Sequence, residues 1–155
     1  MQSNSFSNRL YKALREHTVY YIYLPLVIYW ITLFILTTIP TAVVPQLFDE
    51  QDKFEHFGAY LLLAVLLTLS LHMQKRFSIL AFNAFLFSLI FVLLYGAVDE
   101  LHQLFVPGRY CDFYDWLADA IGGSIGVLCV YVFLRGQRSE KSIPPEHQIK
   151  DASTF

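Results

Sequence analysis

The chain has 155 residues, 55% of them hydrophobic and only 15% charged, with a formal net charge of −2. One domain's worth of chain with this composition excludes a disordered or ordinary water-soluble protein and favours a membrane one. No basic patch or zinc-knuckle spacing points to nucleic acid. Cys111 falls in a loop and Cys129 deep in an apolar run, which argues against a disulfide, and neither has a metal or redox spacing.

Residues 1–18 are polar, and Arg9, Lys12 and Arg15 are spaced for one face of a short juxtamembrane helix that anchors to anionic lipid. Residues 19–39 form an uncharged stretch, too long for a signal-peptide core and without a small-residue cleavage site, so a retained first span is expected. Pro25 is expected to kink it, and Pro40 and Pro45 to stop it. An acidic segment around Lys53 leads into a second span at 52–73. The basic turn Lys75-Arg76 follows, then a third span at 77–98, with Asn83 and Ser88 packed against neighbouring helices. A loop turned by Pro107-Gly108 precedes a fourth span at 112–134. Residues 136–155, with Pro144-Pro145, read as a flexible tail. The expected fold is all-α, a four-helix transmembrane bundle over 19–135.

Four spans bring both termini to one side. Nine of the eleven basic residues lie there, and only Lys53 and Arg109 lie opposite. The positive-inside rule therefore places both termini in the cytoplasm and the polar loops outside, in a plasma or inner membrane. Nine of the thirteen acids lie on the outer side.

Two of the spans are short. Only 15 residues separate His56 from His72, and 15 separate Asp119 from Arg135. At 1.5 Å per residue each covers about 22 Å, less than a hydrocarbon core of roughly 30 Å. The outer polar residues are therefore expected below the interface, where pairing within a bundle makes them tolerable. Asp52, His56 and Tyr60 recur every four residues along the second span, and Asp99 and Gln103 are four apart. Asp112, Asp115, Asp119, Gly122 and Gly126 form one stripe on the fourth. Its lower part, Ala118-x-x-x-Gly122-x-x-x-Gly126, is a small-residue seam that lets another helix approach closely.

Three chemistries fit this set. Carboxylates with His56 suit a divalent cation, although no tight ligand spacing occurs. Arg109, Lys53 and His56 suit the phosphate or carboxylate of a head group, next to a carboxyl able to serve as acid or base. A purely structural ion-paired lattice is the third. Bland readings compete at single positions: Asp112 as a helix N-cap with Asp115 beside the dipole, Lys53 and Glu55 as solvated charges, His72 as interfacial, and His102 turned either way. Asp119, a turn beyond Asp115 in an apolar context, is the hardest to dismiss, because an unneeded acid there would be destabilising.

At these residues the chain resembles the VanZ family of small membrane proteins. The resemblance rests on Asp52-Lys53-x-x-His56-x-x-x-Tyr60, Asp99-Glu100-x-x-Gln103, Pro107-Gly108-Arg109, Asp115, and Gly122 with Gly126. The family often carries Asn where this chain has Asp119. The resemblance implies a multi-pass helical membrane protein. The family takes its name from low-level resistance to teicoplanin, a glycopeptide acting at the external cell surface. A phosphotransbutyrylase role would place the chemistry on the cytosolic side, opposite to the motifs.

The expected function is a cell-envelope protein that binds an anionic amphiphile at its outer face: a phospholipid, a polyprenyl-linked intermediate or a lipidated glycopeptide. The alternative is a membrane-embedded acid–base or metal-dependent enzyme acting on a lipid head group. It would pair His56 with Asp99 or Glu100, clamp the anion with Arg109 and orient with Asp115. Asp52, Lys53, Tyr60, Gln103 and Asp119 would line the substrate. An ion or proton pathway is the remaining alternative, and alternating access by so few spans would require a homo-oligomer. No cofactor other than a divalent cation is suggested.

Overall fold

A computed structural model describes residues 6–40 and 47–141, with side chains as far as Gln137. Its described residues form helices and no strands. They are α1 (Phe6–Glu16), a π-helical turn (Val19–Tyr23), α2 (Leu24–Thr37), α3 (Gln51–Met73), α4 (Ser78–Phe82), α5 (Ala84–Gln103) and α6 (Phe113–Lys141). Four stretches are long and apolar enough to cross a membrane: Val19–Thr37, Gln51–Met73, Ala84–Gln103 and Phe113–Gln137. Their outer faces are apolar; Val27, Ile31, Phe34, Leu86, Leu94, Ile121 and Leu128 are all exposed, as lipid-facing side chains would be.

Pro25 acts one turn earlier than a simple kink. Its ring would collide with the carbonyl four residues before it, and proline has no N–H to give. The backbone widens there into the π turn, with the Leu24 N–H reaching back to the Val19 carbonyl. Pro40 lies just past the end of α2, whereas Pro45 and Pro144-Pro145 lie outside the described residues.

The third span differs from the expected 77–98. A short α4 ends at Asn83, whose backbone (φ −104°, ψ 27°) is not helical and whose side chain donates back to the Ile79 carbonyl at 3.1 Å rather than to a neighbouring helix. The long helix then runs from Ala84 to Gln103, so Asp99, Glu100 and Gln103 are helical residues rather than loop residues. The helix continues past Val98 because these polar side chains find partners on α3 and in the loop. Likewise α6 begins at Phe113 and runs beyond Leu134 to Lys141, so the first residues of the expected tail are helical, and Gln137 is buried where it donates to Ser7 Oγ on α1. Residues beyond 141 are outside the described set.

Close helix packing explains why the core forms where it does. A Cβ added at Gly122 would strike the Phe57 carbonyl, and one at Gly126 would strike the Leu61 carbonyl and sit 2.9 Å from the Ala64 Cβ. The small-residue seam of α6 therefore lies directly against the backbone of α3. Gly123, a residue the spacing did not single out, gives the same access to Val92 on α5. Leu33, Tyr60, Leu63, Ala64 and Val92 form the apolar centre, and Ile22, Leu69, Val130 and Leu134 form a second cluster nearer the chain ends. The Tyr29 hydroxyl donates to the Ala59 carbonyl at 2.9 Å and ties α2 to α3. At the end where α1 meets the last turns of α6, Tyr11 packs on Phe133, and Lys12, Arg15 and Lys75 line a groove of about 660 Å³.

This packing makes a sharp prediction. Gly122→Leu and Gly126→Leu should each lower the thermal unfolding midpoint or abolish accumulation of folded protein, since overpacking costs about 1–3 kcal/mol or more. Gly136→Ala, where a Cβ meets nothing within 4 Å, should be neutral or stabilising by up to about 1 kcal/mol. Equal effects at positions 126 and 136 would contradict the seam.

Candidate functional site

The polar residues gather at the opposite end from the termini, between α3, α5 and α6. His56 lies five residues into α3 and Asp119 six into α6, roughly 7–9 Å along each helix from its start. His56, Tyr60, Asp99, Glu100, Gln103, Asp115 and Asp119 are all buried, Asp119 completely. A bilayer interior tolerates such groups only when they are paired, so their partners define the site.

His56 is the hub. Its Nδ1 lies 2.9 Å from Asp119 Oδ1 and 3.8 Å from Glu100 Oε1. Gln103 Nε2 is 3.4 Å from His56 Nε2 and 3.3 Å from Glu100 Oε1. A carboxylate at Nδ1 and an amide N–H at Nε2 assign the proton to Nδ1, which donates to Asp119, while Nε2 accepts. Tyr60, one turn deeper on α3, stacks parallel to the imidazole with ring centroids 6.4 Å apart. The nearest carboxylate to His56 is thus Asp119, with Glu100, one of the two expected acid–base partners, next at 3.8 Å; the glycine seam draws α6 closest to α3. Asp99 is buried near Thr37, His56, His102 and Tyr60. His102 stacks on Phe34 at 5.3 Å and so lies at the edge of the cluster.

Arg109 joins the site through the loop. Val106, Pro107, Gly108 and Arg109 form a tight turn closed by the Arg109 N–H on the Val106 carbonyl at 3.1 Å, with Gly108 at φ 78°. Proline second and a left-handed glycine third are what a type II turn requires. The guanidinium then donates from Nε to the Ile39 carbonyl at 3.0 Å and from Nη1 to Gln103 Oε1 at 3.5 Å. Arg109 and His56 are therefore linked by one side chain, Gln103.

Lys53 is occupied differently from expectation. Its ammonium lies 3.0 Å from Glu50, 3.4 Å from Asp52, and 3.5 Å from both Asp112 and Asp115. Four carboxylates neutralise it, which leaves Arg109 as the cation at the mouth. Asp52 stays at the rim with its side chain 45% exposed and does not join His56 and Tyr60 inside. Asp112 has the capping role: its Oδ1 accepts the Tyr114 N–H at 2.8 Å, while its own N–H donates to Glu100 Oε2 at 2.8 Å. Glu55 is exposed and bonded to Gln51. His72, far from the site, packs on Phe85 at 6.2 Å. Both cysteines are free and exposed.

Two contributors escaped the sequence reading. The Ile39 carbonyl is backbone and carries no residue signature, though Pro40 marks the chain end beside it. Gly96 lies under Asp119; a Cβ there would sit 2.9 Å from Asp119 Oδ2. A lone glycine within an apolar span was the available signal.

The fold and its cluster define a multi-pass helical membrane protein with a mostly acidic polar site buried at one end of the bundle. The chain belongs to the VanZ/LLP1 family, whose profile matches residues 21–134. No curated protein and no solved structure matches it significantly.

The buried pair yields a graded prediction. Asp119→Ala leaves the His56 N–H without its acceptor and should cost about 1–3 kcal/mol of stability. Asp119→Asn retains an oxygen acceptor and should cost much less, as read by denaturant or thermal unfolding in lipid. A larger loss in the Asn variant than in the Ala variant would contradict the hydrogen bond.

Proposed function

We propose that this chain is a cell-envelope enzyme that performs acid–base chemistry on the anionic head group of an amphiphile. The observation that carries the reading is the buried His56–Asp119 pair, joined through Gln103 to Arg109 at the mouth. A protein that only held a head group would have no use for four buried carboxyls, each costly at membrane depth. Arg109 supplies the anion contact, because its fork retains donors that the Ile39 carbonyl and Gln103 do not take. His56 Nε2 takes a proton from a water whose oxygen bonds to the head-group phosphorus, and Asp119 stabilises the imidazolium that forms. The bond from phosphorus to the departing oxygen breaks with a proton delivered by the Glu100 carboxylic acid. Glu100, 3.8 Å from the same imidazole, supplies the second acid–base group. Phospholipids, polyprenyl-linked intermediates and lipidated glycopeptides share the chemistry required: an anionic group at the interface and an apolar tail in the bilayer.

The second reading is a holding role without turnover, as in glycopeptide resistance by sequestration. One observation favours it: Gln103 Nε2 lies 3.4 Å from His56 Nε2, so a substrate reaches the imidazole only once Gln103 swings aside.

The site faces outward in this reading, with the termini in the cytoplasm of a plasma or inner membrane. Support comes from the basic groove at the terminal end, lined by Lys12, Arg15 and Lys75, as the positive-inside rule requires. Cys111, exposed in the loop, should react with an impermeant maleimide added to intact cells. A cysteine at position 12 in a Cys111→Ser background should react only after lysis, and the reverse pattern would invert the topology.

Catalysis is tested with purified protein in lipid vesicles containing a polyprenyl phosphate, followed by mass spectrometry of the lipid pool. His56→Ala should reduce head-group conversion by at least about a hundredfold while accumulating normally. Arg109→Ala should chiefly raise KM. Saturable binding with no product in the wild type, and unchanged affinity in His56→Ala, would establish the holding role instead.

A further inference from the structure

We propose that His56, Glu100 and Asp119 bind a divalent cation of the zinc or manganese kind. The inference deepens the reading of this cluster as the working site and rests on it for the ion's use, though not for its binding. In a loaded site the three side chains would serve as ligands and the ion would supply the acid–base chemistry assigned to them above. Three helices, α3, α5 and α6, each contribute one ligand. The imidazole nitrogen and two carboxylate oxygens lie within 4.8 Å of one another, and all three residues are buried.

The distances suit an ion. With metal–ligand bonds near 2.1 Å, adjacent ligand atoms are roughly 3.0–3.4 Å apart. His56 Nδ1 is already 2.9 Å from Asp119 Oδ1 and 3.8 Å from Glu100 Oε1, so a small rotation of the Glu100 side chain closes the set. The Asp119 side chain is fully buried, and its Oδ2 has no hydrogen-bond partner among the described residues. A carboxylate with one oxygen idle at this depth has coordinating capacity that nothing else on the chain uses.

Charge points the same way. Lys53 answers Asp115 and the rim acids. Glu100 and Asp119 then share a single imidazole, and burying two carboxylates against one neutral ring is strongly unfavourable. One divalent cation balances those two carboxylates while the imidazole coordinates as a neutral ligand. Mixed nitrogen and oxygen donors select a transition-type ion over calcium or magnesium, which prefer oxygen alone. Three protein ligands would leave a coordination position open, as in catalytic rather than structural sites. Metal binding at Nδ1 would move the ring proton to Nε2, where the Gln103 side-chain amide, 3.4 Å away, would accept it through its oxygen and so set the ring's orientation.

The test is calorimetric titration of chelator-stripped full-length protein in nanodiscs with zinc chloride, and separately with manganese chloride. The expected result is one equivalent bound per chain and a rise in the unfolding midpoint. Glu100→Gln and Asp119→Asn should each weaken binding by at least about tenfold. Glu55→Gln, altering an exposed acid outside the cluster, should bind as the wild type does. Failure of the wild-type chain to take up a stoichiometric ion overturns the proposal, whatever the variants do. Uptake of equal affinity in both ligand variants overturns it as well. Ion binding without head-group conversion retains the metal site and removes the enzymatic reading, whereas conversion that persists after chelation does the opposite.

Discussion

The architecture depends on the close approach of α3 and α6. Gly122 and Gly126 bring one helix against the carbonyls of Phe57 and Leu61 on the other, with no side chain between them. Any larger residue would hold the helices apart and draw Asp119 away from His56. Lipid tails are as apolar as leucine, so helices in a bilayer gain little from hydrophobic contact alone and rely on such packing. The seam therefore does more than stabilise the bundle. It sets the distance across which an imidazole and a carboxylate meet.

Everything polar follows from that meeting. Once His56 and Asp119 are fixed, Glu100 and Gln103 on α5 complete the ring of partners, and the turn at Pro107-Gly108 delivers Arg109 to the far side of Gln103. Asp112 closes the circuit by capping α6 while its N–H holds Glu100. The same few residues thus terminate helices, satisfy buried charges and shape the site. Lys53 collects the surplus acids at the rim, which keeps the mouth from being uniformly negative. A structural lattice would need little more than these contacts, and the fully buried Asp119 keeps one oxygen without a hydrogen-bond partner among the described residues.

Much of this was readable in the sequence. Apolar runs of membrane length fixed the number of spans, because nothing but a helix satisfies its backbone in lipid without a partner strand. The three- and four-residue spacing from Asp115 to Gly126 correctly placed acids and glycines on one face of α6. What could not be read were facts of the third dimension. His56 and Asp119 are 63 positions apart, so their pairing has no local signature. Lys53 looked free for an anion because its four carboxylates come from two segments that meet only in the fold. The start of α5 was misplaced because Asn83 breaks the helix by its own backbone conformation inside an uninterrupted apolar run. The Ile39 carbonyl that receives Arg109 is invisible to any reading of side chains.

The central claim is that the seam places the His56 Nδ1 proton on Asp119. Nitrogen NMR of isotope-labelled histidine in metal-depleted protein, reconstituted in lipid, observes that proton. The signal missing from a His56→Gln sample identifies the residue. The account predicts a proton on Nδ1 in a strong hydrogen bond, with its shift moved by Asp119→Asn and lost to the Gly122→Leu packing defect. An imidazole carrying its proton on Nε2 and indifferent to both substitutions would contradict it.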